Sequence, residues 1–251
     1  MSDFLKGKIA VITGASRGLG RAMALSLGES GVRLALVARD EAKLAEVAAA
    51  VRETGAEAEC YRVDVTSEAE VLELESQVRR RLGRAQILIN NAGVNLRKLV
   101  TDFTYQEWRT VLDTNLTGAF LMCRSFVPHM QGTGYGRILN MTSIMSHVSL
   151  PERIAYSSSK AGLLGLTRAL ALELASDGIT VVGISPGPFA TEMNTSLIND
   201  PAKNAQFLQS IPVGRWGRVE DIGALARFLC SEEASFITGT DIVIDGGWLA
   251  R

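Results

Sequence analysis

Histidine and cysteine are scarce in this chain, and their scarcity narrows the chemistry open to it. Two histidines, His129 and His147, and three cysteines, Cys60, Cys123 and Cys230, form no ligand cluster in 251 residues, so no dedicated metal site is expected. Widely spaced and odd in number, the cysteines read as free thiols in a reducing cytoplasm. Only six prolines stand against 24 glycines and a 47% hydrophobic content, which excludes a disordered or low-complexity chain. Neither sign of charge is in excess, with 26 Lys and Arg against 27 Asp and Glu. Bulk electrostatics therefore suggests neither nucleic acid nor an anionic membrane as a partner. Long apolar runs are also missing. The most apolar helical stretch, Ala161–Ala175, is broken by Arg168 and Glu173, so no membrane span is expected. The amino terminus enters an apolar run at Ile9, which leaves no room for a secretion signal.

What remains is a regular alternation of short apolar runs and longer amphipathic segments. The runs Lys8–Thr13, Arg33–Ala38, Glu59–Val65, Ile87–Asn91, Arg137–Met141, Thr180–Ser185 and Asp241–Asp245 read as strands. Several are continuously apolar, as strands covered on both faces are. The segments Gly18–Gly28, Glu41–Thr54, Glu68–Leu82, Tyr105–His129, Tyr156–Ser176 and Val219–Cys230 read as helices, with Gly31, Gly55, Gly83 and Gly178 at expected helix ends. The expectation is one α/β domain over 1–251, a doubly wound parallel sheet of seven strands with helices on both faces, Rossmann-like. Residues 187–217 are the least regular, with one helical segment around Ala202–Gln209, and suggest a lid over a site.

Directly after the first strand comes Thr13-Gly14-Ala15-Ser16-Arg17-Gly18-Leu19-Gly20, leading into a helix. Glycines at 14, 18 and 20 allow a tight turn and close approach to a pyrophosphate at the helix N-terminus. The G-x-x-x-G-x-G spacing differs from G-x-G-x-x-G, and no P-loop Gly-Lys-Ser/Thr follows.

With the loop, Asp64-Val65, Asn90-Asn91-Ala92-Gly93, Asn115, Ser143, Tyr156 with Lys160, Pro186-Gly187 and Asp245-Gly246-Gly247 recur in order, at familiar spacing over nearly the whole chain. In this the sequence resembles the short-chain dehydrogenase/reductase family. The resemblance implies a nicotinamide dinucleotide held by Gly14, Ser16, Arg17, Gly18, Leu19, Gly20, Arg39, Asp64, Val65, Asn91, Ala92, Gly93, Tyr156, Lys160, Pro186, Gly187, Phe189 and Thr191. NAD-preferring members place an Asp where Ala38 stands here. Arg39 follows it and Arg17 lies in the glycine loop, two guanidiniums able to clamp a 2′-phosphate, which points to NADP over NAD. The competing arrangement leaves both arginines solvated and gives the ribose to Asp40. Asp64 has two readings as well, an adenine contact by resemblance or a member of the N-cap region before Glu68.

Tyr156 and Lys160 are four residues apart on a helix, so they share a face. An ammonium there would lower the phenol from its usual pKa near 10 toward working pH, making Tyr156 an acid/base for a carbonyl oxygen. Ser143, at the end of a strand, is expected to donate to the same oxygen, although a Ser in a strand-end turn also bonds locally. By resemblance Asn115 supports a proton relay to Lys160; otherwise its side chain bonds its own helix. Catalytic roles are thus expected for Asn115, Ser143, Tyr156 and Lys160, in the interconversion of a ketone and a secondary alcohol. The lid and the carboxyl-terminal residues resemble those of gluconate 5-dehydrogenases and deoxygluconate dehydrogenases, and the glycine loop those of 3-oxoacyl-carrier-protein reductases. Many of the latter have Gly where this chain has Ser146, which leans toward a keto sugar acid such as 5-ketogluconate. Ser143, Met145 and Arg153 are the candidate substrate contacts. A non-catalytic NADP-binding sensor is the alternative of another class, and the resemblance further implies a homotetramer.

Overall fold

The computed structural model describes residues 2–250, with backbone alone at positions 2, 3, 193 and 196; Arg251 at the end of the family-like tail lies outside the described residues. Aliphatic runs form seven strands: β1 (Ile9–Thr13), β2 (Arg33–Ala38), β3 (Ala58–Arg62), β4 (Ile87–Asn90), β5 (Gly136–Met141), β6 (Ile179–Pro186) and β7 (Asp241–Ile244). All pair in parallel, as expected, and their order is β3-β2-β1-β4-β5-β6-β7. Parallel neighbours need crossovers, and helices supply them. They are α1 (Ser2–Leu5), α2 (Gly18–Gly28), α3 (Glu41–Glu53), α4 (Glu68–Arg81), α5 (Tyr105–Leu112), α6 (Gly118–Met130), α7 (Ile154–Leu174), α8 (Thr195–Ile198), α9 (Pro201–Leu208) and α10 (Val219–Cys230).

The period-two alternation of strand side chains splits the core in two. Ala10, Ile12, Leu34 and Leu36 meet Met23 and Leu27 of α2, Val47 of α3 and Ile222 and Leu229 of α10. Val11, Ala35, Val37 and Leu88 meet Leu74 of α4, Phe126 of α6 and Leu174 of α7 on the opposite face. Gly31, Gly55, Gly83 and Gly178 take positive φ values of 74°, 87°, 110° and 72°, the left-handed geometry of helix ends.

Most bounds shift by a residue or two, and three departures are larger. β3 stops at Arg62, not Val65, because Asp64 Oδ1 accepts from the Thr66 N–H and hydroxyl at 2.9 and 2.8 Å, a turn that peels the chain off the sheet. The expected continuous helix Tyr105–His129 is divided by a π-helical turn, Asp113–Thr117, with Asn115 at its centre. Such a widened turn inside a helix commonly accompanies a functional site. The 187–217 segment holds more order than expected: a 3₁₀ turn (Glu192–Asn194), α8 and α9, closed at its base by a parallel bridge between Phe189 and Gly217. Phe207 and Trp216 stack at 4.8 Å across it.

Candidate active site

Because all strands run one way, their carboxyl ends share one edge of the sheet, and a cleft of about 720 Å³ opens there. It is centred where β1 and β4 part, the point at which the strand order reverses. Thr13 Oγ1 accepts from the N–H groups of Asn91 and Ala92 at 2.9 and 3.0 Å, and Asn91 Nδ2 donates to the carbonyls of Thr13 and Gly14, both at 3.0 Å. These bonds hold the glycine turn against the end of β4. Gly14 and Gly18 have φ of +62° and +54°. Gly20 has another duty, since a Cβ there would sit 2.3 Å from the Gly14 carbonyl oxygen. Arg17, the N-cap of α2, makes no side-chain cap bond, so the N–H groups of the first turn are left for an anion.

Ser16, Arg17, Gly18, Leu19, Arg39, Asp64, Val65, Asn91, Ala92, Gly93, Ser143, Tyr156, Lys160, Pro186, Gly187, Phe189 and Thr191 all line this cleft with Gly14. At one end lie Arg17, Arg39 and Lys43. Asp40 lines the cleft as well, and its Oδ1 accepts from the Lys43 N–H at 3.1 Å as the N-cap of α3. The cap bond fixes the orientation of Asp40 and leaves its Oδ2 3.9 Å from Lys43 Nζ. Asp64 is not a helix N-cap, a place that Ser67 takes in α4. Arg39 lies 3.9 Å from Asp64, and Arg17 reaches across the cleft to Glu192 at 3.2 Å. Lys43 escaped the sequence reading, as did Thr114, Met141 and Glu192; a lysine in the first turn of a helix opposes the helix dipole, and that was the available signal for it. An uncapped helix start beneath a glycine turn, with Arg17, Arg39 and Lys43 in the same cleft, fits a phosphorylated dinucleotide.

At the other end Ser143 follows β5, and α7 brings Tyr156 and Lys160 beside it. The Ser143 hydroxyl oxygen accepts from the Met145 N–H at 3.1 Å, and Ser143 stands close enough to the Tyr156 phenol to favour its charged form. Both the local turn bond and the shared site are thus present. Lys160, only 4% exposed, donates from Nζ to the Met141 carbonyl at 2.5 Å and stands 5.6 Å from the centre of the Tyr156 ring. Burial pushes the phenol up from its ordinary value, against the Ser143 hydroxyl and the Arg153 charge. Burial likewise pulls Lys160 down to about 8, against the pull of Asp241. The expected lowering of Tyr156 by Lys160 is therefore corrected for the ligand-free chain. Desolvation penalises the charged form of each group, and the ammonium is committed to a carbonyl.

Asn115 is buried behind the cleft rather than in its lining. Its Oδ1 accepts from the Val94 N–H at 2.8 Å, and its Nδ2 donates to the Val94 carbonyl and the Ser159 hydroxyl, each at 2.9 Å. The side chain thus bonds outside its own helix and joins the loop after β4 to α7. Neither Met145 nor Arg153 lines the cleft. Met145 is buried in the turn after Ser143. Arg153 lies within electrostatic reach of Tyr156 and of Arg97, and its Nη1 is buried with no hydrogen-bond partner among the described residues.

Over residues 14–249 the chain matches the family described as Enoyl-(Acyl carrier protein) reductase. It is 38% identical over 241 residues to the 3-oxoacyl-[acyl-carrier-protein] reductase FabG of Staphylococcus epidermidis, covering 96% of this chain and 98% of the relative. Among solved structures, one provisionally named a gluconate dehydrogenase from Agrobacterium tumefaciens superposes with a TM-score of 0.95 at 37% identity, covering 98% of both chains. Another from the same organism, provisionally named a 2-deoxy-D-gluconate 3-dehydrogenase and holding bound NADP, gives 0.90 at 33% identity, covering 99% of this chain and 100% of that one. Fold and cleft together define a Rossmann-like oxidoreductase. Within that class the chain belongs to the short-chain dehydrogenase/reductase family.

The glycine turn carries a direct test. Gly20→Ala places a methyl against the Gly14 carbonyl and the Asn91 amide, and is expected to lower stability by ~1–3 kcal/mol in urea unfolding, as overpacking does. An unchanged midpoint would show that the turn is not held as described.

Proposed function

We propose that this protein is an NADP(H)-dependent oxidoreductase interconverting a ketone and a secondary alcohol, with a keto sugar acid as substrate. The observation that carries the reaction is the meeting of Ser143, Tyr156 and buried Lys160 at one end of a cleft whose other end holds the glycine turn. Bound nicotinamide would supply or accept the hydride. The chain's own task is the proton and the orientation. The phenol of Tyr156, held neutral by burial, is set to give its proton to a carbonyl oxygen. Ser143 donates a hydrogen bond to that oxygen as charge develops on it. Lys160 remains an ammonium below its value of about 8 and stabilises the phenolate left behind. Asn115, fixed to Val94 and Ser159, keeps α7 in register with the loop after β4. A sensor that only binds nucleotide has no use for such a group, so the catalytic reading is preferred.

The preference for NADP rests on Ala38, on the fixing of Asp40 by its helix-cap bond, and on Arg17, Arg39 and Lys43 at the nucleotide end. The sugar-acid reading rests on Arg153, whose charge reaches Tyr156 and whose Nη1 has no hydrogen-bond partner among the described residues, with Arg97 and Glu152 as its charged neighbours. The identity to a 3-oxoacyl-carrier-protein reductase favours a second reading, reduction of a 3-oxoacyl thioester. We take the segment 187–217 as a lid of one domain, tethered across the cleft by Arg17 and Glu192, and a cytoplasmic homotetramer as the working assembly.

Tyr156→Phe is expected to retain NADPH binding and fold while losing turnover by ~10²–10⁴-fold, the usual share of a general acid; near-normal kcat would remove Tyr156 from the reaction. Arg39→Ala should cut kcat/KM for NADPH by ~10–100-fold and leave NADH almost untouched, as loss of a charge-assisted bond predicts. Equal effects on both cofactors would argue against a 2′-phosphate clamp. Assayed on keto sugar acids, neutral ketones and oxoacyl thioesters, Arg153→Ala is expected to lose ~10–100-fold in kcat/KM on the acids alone. A wild-type preference for the thioesters, or an equal loss on all three, would decide against the sugar-acid reading.

A further inference from the structure

Behind Ser143, in the seam of β5, β6 and β7, lies a second polar cluster that the reaction above leaves unused. Its centre is Asp241, the first residue of β7, with a side chain 4% exposed. Its Oδ2 accepts from the Ser185 hydroxyl at 2.6 Å and lies 2.7 Å from His147 Nε2. Its Oδ1 stands 2.6 Å from Thr142 Oγ1, which also lies 2.7 Å from the Ile184 carbonyl; of these two acceptors the carboxylate is the stronger. The space is fitted to this side chain. A Cβ on Gly183, the β6 residue opposite Asp241, would fall 2.2 Å from Asp241 Oδ1.

Two connections run from this carboxylate to the reacting groups. Thr142 immediately precedes Ser143, and His147 immediately follows the turn Ile144–Ser146 that Ser143 caps. One anion therefore holds both ends of the segment that aims Ser143. The second connection is to Lys160: its Nζ donates to the carbonyl of Met141, the residue before the Thr142 that bonds Asp241, and the carboxylate favours its charged form against the burial that opposes it. The groups otherwise placed about Lys160 carry no negative charge in the resting protein: the Met141 carbonyl from β5, the phenol of Tyr156 on α7 and Gly93 with the Asn115 amide. An ammonium in a dry site needs a counter-charge or it sheds its proton. His147, about a third exposed, faces the carboxylate from the solvent side.

We infer that Asp241 is a positioning residue for the ketone–alcohol reaction: its buried carboxylate, gripped by Thr142, Ser185 and His147, fixes the Ser143 turn and supplies the counter-charge to the Lys160 ammonium. This rests on the functional reading above, and its test separates the two. Asp241→Asn keeps the size that Gly183 allows and removes the charge. In ligand-free protein labelled with ¹³C-lysine, the Lys160 titration followed at Cε is expected to fall by ~1 unit or more from about 8. The alkaline limb of kcat for ketone reduction should move down by the same amount, because the ammonium is lost at lower pH. KM for NADPH should stay within ~2-fold, since Asp241 does not line the cleft. Should the Asn variant not fold, Asp241→Thr removes the charge with a β-branched residue suited to a strand. Thr142→Val leaves the charge and cuts the tie to Ser143, so it should lower kcat by ~10-fold with the Lys160 titration unmoved; because Thr142 also lines the cleft, its KM for NADPH is read beside kcat and should stay within ~2-fold. An unmoved Lys160 titration in the folded Asp241 variants overturns the electrostatic claim, and full kcat in Thr142→Val overturns the positioning claim. A wild type that turns over no carbonyl compound defeats the functional reading instead, and the NMR titration still decides whether Asp241 charges Lys160.

Discussion

The carboxyl ends of β1 and β4 are fastened to each other by Thr13 and Asn91, and the site is arranged around that fastening. In an all-parallel sheet every strand delivers its following loop to one edge. Where the order reverses, two neighbouring loops leave in opposite directions and a crevice opens between them. Without a tie the crevice would have no fixed width. Four hydrogen bonds, two of them from a half-buried side-chain amide, hold the glycine turn against β4. That turn sets where the uncapped start of α2 points.

The chemical end obeys a different constraint, the cost of placing charge in a dry place. Tyr156 and Lys160 are both driven toward neutrality by burial, the phenol upward and the amine downward. What keeps the pair useful is the polar surroundings each retains: the Ser143 hydroxyl and Arg153 charge on the phenol, the Met141 carbonyl and Asp241 on the amine. A proton donor rather than a resting phenolate is the outcome. Burial thus modifies the simplest picture of a lysine that depresses its neighbour; in the proposed mechanism Lys160 serves the phenolate only once that anion has formed.

Much of this was legible in the residues. The bounds of α2 and α10 follow from periodicity and from Gly18 and Cys230, and strand β2 was readable from end to end. Glycines 14, 18 and 20 announced the turn, and Ser143, Tyr156 and Lys160 announced the group at the other end. Other features were illegible because their causes are non-local. The end of β3 depends on an Asp64 turn, and the π-helical turn surrounds an Asn115 amide bound to Val94 and Ser159, partners 21 and 44 residues away. Lys43, Arg97 and Asp241 look like ordinary charged residues until the fold places them.

Local patterning therefore determined the parallel sheet and its helical cover and pointed to the trio proposed to react, since side-chain period and glycine turns act over a few residues. Tertiary structure decided which charges have partners. Asp40 caps a helix at the cleft, Arg153 keeps a nitrogen without a hydrogen-bond partner among the described residues, and Asp241 meets Thr142, Ser185 and His147 from 99, 56 and 94 residues away. The energy of a charge depends on its burial and on whatever lies within a few ångströms, and neither quantity exists until the chain has folded.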